Sequence, residues 1–329
     1  MMERVTIPKT DIAVSRLSLG TWAFGSDPVW GEQDDQACID TVAAALECGV
    51  NFIDTAAVYA SGRSEEILGR ALKGRRDQAI VATKVHATLT RDGVVEACER
   101  SLKRLQTDYI DLYYIHWPEY GIPLEDTLKG LHALRDAGKI RAVGVSNFGP
   151  RTLEDLARAG DEIVSLHQLP YSLFWRAVEY EILPATRALG ISGIAYSVLA
   201  QGLLTGRYTS YADVPPGLHV TRFYGDGPHG EAGCEAEVFA ALQKLRPLAE
   251  EAGVSLADLA IQWVLAQPGI GIALTGARTP AEIQANARAL EKPIDPAILT
   301  RATPLSDQVK AKLGPNPDMW MNAAQTRYR

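Results

Sequence analysis

NFIDTAAVYASGRSEEILGRALKGRRDQAIVATK, residues 51–84, contains the repeating unit of this chain. It opens on a short apolar run, Asn51–Asp54, passes through a longer amphipathic stretch, and closes on a second apolar run, Ala79–Lys84. Such runs are nearly continuous rather than alternating, as a parallel strand buried on both faces requires. The same unit recurs on either side. Further strand candidates are Leu17–Gly20, Ile110–His116, Ile140–Ser146, Ile163–Gln168, Ile191–Ser197 and Ile270–Thr275, which makes eight. Helix patterns fill the intervals. Residues 34–48 place Ala37, Thr41, Ala44, Ala45 and Cys48 along one face. Residues 90–106 begin at Thr90, a good capping residue, and carry Val94, Val95, Cys98, Leu102 and Leu105 inward.

Eight β-then-α units in 329 residues predict an α/β chain folded as a (β/α)8 TIM barrel, a single domain over 1–329. The rival open doubly wound sheet lacks its G-x-G-x-x-G fingerprint. Residues 4–14, RVTIPKTDIAV, predict an N-terminal β-hairpin turning at Pro8-Lys9-Thr10-Asp11. The longest irregular stretch, 207–233, holds Pro215-Pro216-Gly217 and Gly225-Asp226-Gly227-Pro228. A loop of that length at the C-terminal face of a barrel is expected to have a function. Arg222, Phe223, Tyr224 and His229 within it are candidates to close over a site.

Composition narrows the function classes. A net charge of −7, with Lys and Arg scattered, argues against nucleic acid as a partner. The four cysteines, Cys38, Cys48, Cys98 and Cys234, form no C-x-x-C pair and suit a reducing compartment. The first residues contain no apolar signal segment and no run suits a bilayer, so the expected location is cytoplasmic. The six histidines form neither H-x-x-x-H nor H-E-x-x-H, so no metal is expected. Oligomeric state stays open.

In a (β/α)8 barrel the reactive groups sit at the C-terminal ends of the strands. Those ends present Asp54 after NFI, Lys84 after AIVAT and His116 after IDLYYI, with Tyr59 in the loop five residues beyond Asp54. A free tyrosine titrates near 10, too high for efficient proton transfer at neutral pH. A neighbouring ammonium favours the phenolate, and Lys84 supplies one, held by Asp54. His116 can hydrogen-bond and orient a carbonyl oxygen. The four together, Asp54, Tyr59, Lys84 and His116, suit carbonyl reduction and its reverse. Convergence at consecutive strand ends is not what a purely stabilising role would produce.

FIDTAAVYASGRSEEILGRAL (52–72) resembles the aldo-keto reductase signature, with its D-T-A-x-x-Y core and following S-E-x-x-L-G. ATK (82–84), DLYYIHWP (111–118), GVSNF (144–148), YSLFWR (171–176) and YSVLAQGLLTGRY (196–208) resemble that family too. The HWP form is closer to the bacterial and channel-subunit-like branches. The resemblance runs from the hairpin to about residue 290. It implies the barrel, the same catalytic tetrad and an NAD(P)(H) cofactor, since no side chain donates hydride.

The resemblance also implies where that cofactor lies. Tyr196 would stack on the nicotinamide, with Ser146, Asn147 and Gln168 bonding its carboxamide and Asp54 beside it. Gly20, Thr21 and Trp22 would line the nicotinamide face. Ser197, Leu199, Gln201, Gly202 and Leu203 would follow the pyrophosphate. TGARTPAEIQANARAL (275–290) resembles the family's 2′-phosphate site P-G-A-R-x-x-x-Q-x-x-E-N, with Gly276, Ala277, Arg278 and Asn286 retained. Thr275, Glu282 and Ala285 depart from it. Arg278 favours NADP(H), as a bidentate phosphate partner. Glu282 would repel that phosphate and suits a 2′-hydroxyl, which keeps NAD(H) open.

Phe24, Trp30 and Trp117, with Tyr120, are candidates for an aromatic wall near Tyr59 and His116. Small aldehydes, ketones and sugars are all compatible with it. Two rival readings remain. One is a Schiff-base aldolase using Lys84 as nucleophile. The other is a cofactor-binding partner subunit with little turnover.

Overall fold

The structure is a computed structural model that describes residues 2–26, 29–86 and 88–329. Strands β1 (Arg4–Thr6) and β2 (Ala13–Ser15) pair antiparallel. Ile7 N–H donates to Ile12 O at 2.8 Å to close the expected hairpin turn. The next eight strands are β3 (Leu17–Gly20), β4 (Phe52–Asp54), β5 (Ile80–Val85), β6 (Ile110–Ile115), β7 (Ile140–Ser146), β8 (Val164–Pro170), β9 (Ser192–Tyr196) and β10 (Ile270–Gly276). They form a closed parallel barrel in chain order, with β10 returning to β3. Each coincides with one of the eight apolar runs, with ends displaced by at most two residues.

Helices α1 (Asp35–Glu47), α2 (Arg63–Ala71), α3 (Arg91–Leu105), α4 (Leu124–Asp136), α5 (Pro150–Ala159) and α6 (Ile182–Ala188) form the outer ring with α8 (Leu256–Leu265) and α9 (Pro280–Arg288). α7 (Glu235–Ala252), α10 (Pro296–Leu305) and α11 (Asp307–Leu313) are additions. Thr90 caps α3 as expected, its hydroxyl accepting from Gly93 N–H. The buried face of α1 is rotated from the expected one. Cys38 and Val42 join Thr41, Ala44 and Ala45 inside, while Ala37 and Cys48 are half-buried. The bulkier pair takes the inward positions because it fills more of the space against the sheet.

Side chains alternate along each strand. Phe52, Ala82, Leu112, Tyr114, Ala142, Leu166, Ile194 and Ile272 fill the barrel interior. The hairpin plugs its lower end with Ile7, Ile12 and Val14. Gly144 is required at this packing, since a Cβ there would lie 2.2 Å from the Tyr114 ring. Residues of the opposite parity, such as Tyr113, Ile115 and Val143, pack against the helices. Among the described residues no helix is long and apolar enough to cross a membrane.

Residues 207–233 form the expected long excursion after β9, and the contacts of Arg222, Phe223, Tyr224 and His229 run to Trp175, to other residues of the same loop and to the segment after α11. Arg222, buried, donates to Leu313 O and Asn316 O, both at 2.9 Å, and its backbone N–H donates to Met319 O at 2.8 Å. The loop therefore braces the C-terminal segment 314–329, and it is that segment which crosses the mouth.

Candidate active site

The strand alternation that fills the interior also aims the chemistry. Asp54 shares parity with Phe52, Lys84 with Ala82, His116 with Leu112 and Tyr114, Ser146 with Ala142, Gln168 with Leu166, and Tyr196 with Ile194. Each therefore points inward, one layer above the apolar fill.

Lys84, fully buried, donates to Asp54 Oδ1, to Thr55 O at 2.8 Å and to Tyr59 Oη at 3.3 Å. Gln168 Nε2 donates to Asp54 Oδ2 at 2.8 Å. Tyr59 is brought over this group by a tight turn in which Ala60, Ser61 and Gly62 all adopt left-handed φ, of 45°, 55° and 95°. Hydroxyls pin the turn from beneath. Ser64 Oγ lies 2.8 Å from Thr21 Oγ1 and 2.9 Å from Thr55 Oγ1, and Thr21 Oγ1 donates to Asp54 O. The side chain of Thr21 is thus committed below the site, so only its backbone can serve the expected nicotinamide face. The His116 ring meets the Tyr59 ring edge-on, with centroids 5.9 Å apart.

Electrostatics revise one expectation. Burial pushes the Tyr59 phenol above its ordinary value, although the Lys84 charge and hydrogen bond pull against it. The phenol is therefore a protonated donor at neutral pH, not a half-ionised one. Burial lowers the Lys84 ammonium, but the charges and hydrogen bonds of Asp54 and Tyr59 outweigh this and hold it above the usual lysine range. Burial raises the Asp54 carboxyl, while Lys84 and Gln168 pull it back. Burial, then Lys84, His86 and Arg327, drive His116 well below its ordinary value, so the imidazole is neutral. Its Nδ1 is buried without a partner.

The wall above is partly the expected one. Trp22 lies 5.6 Å from Trp30, edge to face, and 6.5 Å from Tyr59. Trp117 is half-buried beside His116. Phe24 is a correction: it is wholly buried in the core between barrel and helices, because the turn after β3 carries it inward. Tyr120 is turned away and holds the C-terminal segment through Arg327 O and Arg329 N. Sequence reasoning missed what that segment brings. Arg327 lies 3.7 Å over the Trp117 ring and pairs with buried Asp318, Trp320 stacks parallel to Tyr196 at 6.4 Å, and Tyr328 bonds Asn147. The one signal was the density of Trp320, Arg327 and Tyr328 in a stretch without periodicity. His86 also reaches the mouth, 5.7 Å from His116. His167 is structural, as Nε2 accepts from Phe148 N–H, Nδ1 meets Thr186, and burial pulls it to about 3.

The residues implied for a dinucleotide lie together along one side of the mouth. Ser146, Asn147 and Gln168 are nearly buried at adjacent strand ends, and Tyr196 is partly exposed beside them. Beyond Tyr196 the chain turns through Ser197, Leu199, Gln201 and Gly202, with left-handed φ at Ser197, Gln201 and Gly202. Both amide atoms of Gln201 are buried without partners, a fit for a polar group supplied from outside. Leu203 packs into the core, so only its backbone can face a ligand. Gly20 and Gly276 end neighbouring strands in register, and nothing lies within 4 Å of the Cβ position at Gly276. Ala277 is buried and Asn286 Nδ2 donates to Gly276 O. Glu282 does turn toward Arg278: its Oε2 accepts the Arg278 backbone N–H at 2.8 Å, and Oε1 lies 3.4 Å from Nη2. Among the described residues no group of three or more His, Cys, Asp or Glu is arranged to hold a metal ion.

Comparison with known proteins matches the chain to one family. The profile of the aldo/keto reductase family matches residues 16–305. The chain is 43% identical to the aldo-keto reductase YhdN of Bacillus subtilis, over 86% of this chain and 87% of that one. It is 35% identical to the NADH-specific methylglyoxal reductase of Escherichia coli, over 88% and 94%. The glycerol dehydrogenase AKR11B4 from Gluconobacter oxydans superimposes with a TM-score of 0.81 at 34% identity, covering 96% of this chain and 97% of its own.

Proposed function

This chain belongs to the aldo/keto reductase family and is an oxidoreductase, and we propose that it interconverts a small carbonyl compound and its alcohol with Tyr59 passing the proton. The observation that carries this reading is the 3.3 Å contact from Lys84 Nζ to Tyr59 Oη, with the same ammonium paired to Asp54. A nicotinamide dinucleotide, when bound, supplies the hydride that no side chain can. Tyr196, Ser146, Asn147 and Gln168 would hold its nicotinamide end, Gln201 its pyrophosphate, and Arg278 its adenosine end.

The protein's own groups do the rest. The carbonyl oxygen is bonded by Tyr59 Oη and by the neutral His116 ring, which orients it. As negative charge grows on that oxygen, Tyr59 releases its proton to it, and Lys84 stabilises the phenolate left behind. Asp54 keeps Lys84 charged and in place. In oxidation the same proton returns along the same path.

The aldolase alternative is disfavoured by the saturation of Lys84. All three of its N–H groups are engaged, by Asp54, Thr55 O and Tyr59, and a protonated amine is no nucleophile. Arg278 supports NADP(H). The Glu282 carboxylate beside it weakens that preference and leaves NAD(H) usable. A small-molecule substrate at this mouth, acidic net charge and unpaired cysteines fit a cytoplasmic setting.

The test is a fluorescence titration with NADPH and NADH, followed by turnover across aldehydes, ketones and sugars. Binding of both, tighter for NADPH, with turnover of at least one carbonyl is expected. Glu282→Gln should raise the NADPH to NADH efficiency ratio about three- to tenfold, a modest effect because both partners are a third exposed. Binding of dinucleotide with no turnover on any substrate would contradict the catalytic reading. An unchanged ratio would remove Glu282 from the cofactor site.

A further inference from the structure

We propose that His86 is a specificity-determining residue that hydrogen-bonds a second oxygen of the substrate, so that the site favours carbonyl compounds with an uncharged oxygen on the neighbouring carbon. The substrate class named here rests on the carbonyl-reduction reading above.

The register of the barrel puts His86 where it can do this. β5 and β6 pair with Lys84 opposite Tyr114 and Val85 opposite Ile115, and His116 N–H donates to Val85 O at 3.0 Å. One step further along the same pairing sets His86 beside His116. His86 shares the parity of Ala82 and Lys84, so it leans over the barrel axis one layer above the ammonium. The rings agree with this placement, with centroids 5.7 Å apart and planes 73° from parallel. Tyr59 meets the His116 ring as well, at 5.9 Å, yet among the described residues it makes no ring contact with His86. His116 therefore has the proton donor at one edge and a second imidazole at another.

The two imidazoles differ in what surrounds them. His116 is sunk in the site, whereas His86 is exposed. Among the described residues neither ring nitrogen of His86 has a hydrogen-bond partner. The rim beside Tyr59 is aromatic instead, with Trp22 at 6.5 Å and Trp30 5.6 Å beyond it. One part of the mouth thus suits an apolar substituent and another suits a polar one.

A carbonyl oxygen bonded by Tyr59 and His116 leaves the adjoining carbon lying along the rim. Where that carbon carries an oxygen, the two oxygens can lie side by side, which brings the second to the edge of His86. An imidazole donates to a carbonyl oxygen and either donates to or accepts from a hydroxyl. The nearby cations do not ask for an anion, because Lys84 is paired with Asp54 and Arg327 with buried Asp318. An uncharged oxygen is the group that this rim recognises.

The experiment uses the full chain and compares wild type, His86→Phe and His86→Gln at saturating NADPH. The probes are two nearly isosteric pairs. Glycolaldehyde differs from propanal by a hydroxyl in place of a methyl, and methylglyoxal differs from 2-methylpropanal by a carbonyl oxygen in place of a methyl. Each kcat/KM is expressed relative to wild type on the same substrate, which cancels the hydration of the free aldehyde. His86→Phe should lower the values for glycolaldehyde and methylglyoxal about three- to tenfold, the range of one net hydrogen bond, and leave propanal and 2-methylpropanal within about twofold. His86→Gln keeps a donor and should lose less. A loss confined to glycolaldehyde would identify the recognised oxygen as a hydroxyl, and one confined to methylglyoxal as a carbonyl. Equal effects of His86→Phe on both members of each pair overturn the proposal, since loss of shape alone would act that way. Equal losses in His86→Phe and His86→Gln overturn it too. A wild-type protein that reduces no carbonyl compound would instead sink the carbonyl-reduction reading itself, and this one with it.

Discussion

At the lower end of the barrel, Asn51 Oδ1 accepts from Ser15 N–H at 2.7 Å and its Nδ2 reaches Ala13 O, closing the hairpin onto β4. Asp111, also buried there, is paired with Arg76 at 2.7 Å and Arg141 at 2.8 Å and accepts from Val81 N–H. At the upper end the pattern is reversed. His116 Nδ1, Trp30 Nε1 and both amide atoms of Gln201 are buried without partners among the described residues. Ten non-glycine residues among those described have positive φ, and eight of them, Ser26, Ala60, Ser61, Thr88, Asn147, Ser197, Ala200 and Gln201, lie in loops that leave the upper ends of strands. Unpaired polar atoms and left-handed backbone each cost stability. Of the ten, only Lys9 and Gln106 lie away from the upper loops, so left-handed backbone is concentrated at the upper face, which fits a lower face organised for stability and an upper face organised for what it binds.

Substitutions can break that contrast. The largest effect is expected at the upper end, where Tyr59→Phe should lower carbonyl reduction about a hundred- to ten-thousandfold while NADPH affinity stays within about threefold. Stopped-flow reduction and fluorescence titration separate the two, and retained turnover would remove the phenol from the chemistry. Next comes the lower end. Asp111→Asn should cost about 2–4 kcal/mol, under the full range for a broken buried pair because Arg141 is partly in water. Urea denaturation reads this, and activity per folded molecule should not change. Smallest is Gln201→Leu, which removes an amide with no protein partner. It should leave the denaturation midpoint nearly unmoved and weaken NADPH about three- to tenfold. A large stability loss there would mean that Gln201 belongs to the scaffold after all.

How far the sequence carried depended on the range of the interactions involved. The barrel strands were legible because burial on both faces imposes a continuous apolar run, a local property. The convergence of Asp54, Tyr59, Lys84 and His116 was legible because strand ends in a barrel share one rim, so Asp54, Lys84 and His116 could be aligned without coordinates. The inward face of α1 was missed by one step, since small residues such as Ala37 and Ala45 mark a helix phase weakly. Phe24 looked like a pocket residue because aromatic type does not reveal which way a turn faces. The contact of Tyr328 with Asn147 was unreadable, because the two are 181 residues apart and the segment carrying Tyr328 has no period to follow. The acidification of Tyr59 was overestimated for a related reason: charge partners can be read from sequence, whereas the depth of burial that opposes them cannot.

The claim that the mouth holds a protonated Tyr59 and a neutral His116 beside a charged Lys84 is tested most directly by the pH dependence of kcat/KM for carbonyl reduction. Reduction uses the phenol proton, and burial raises that group above its ordinary value near 10, so the loss of activity belongs above pH 10. His116 is lowered well below its ordinary 6.5, so its protonation lies on the acid side of the working range. The profile should therefore be flat from about pH 6.5 to 10. A fall with an apparent midpoint near 7 to 8 that vanishes in Tyr59→Phe would contradict this and would mean that the ammonium wins over burial.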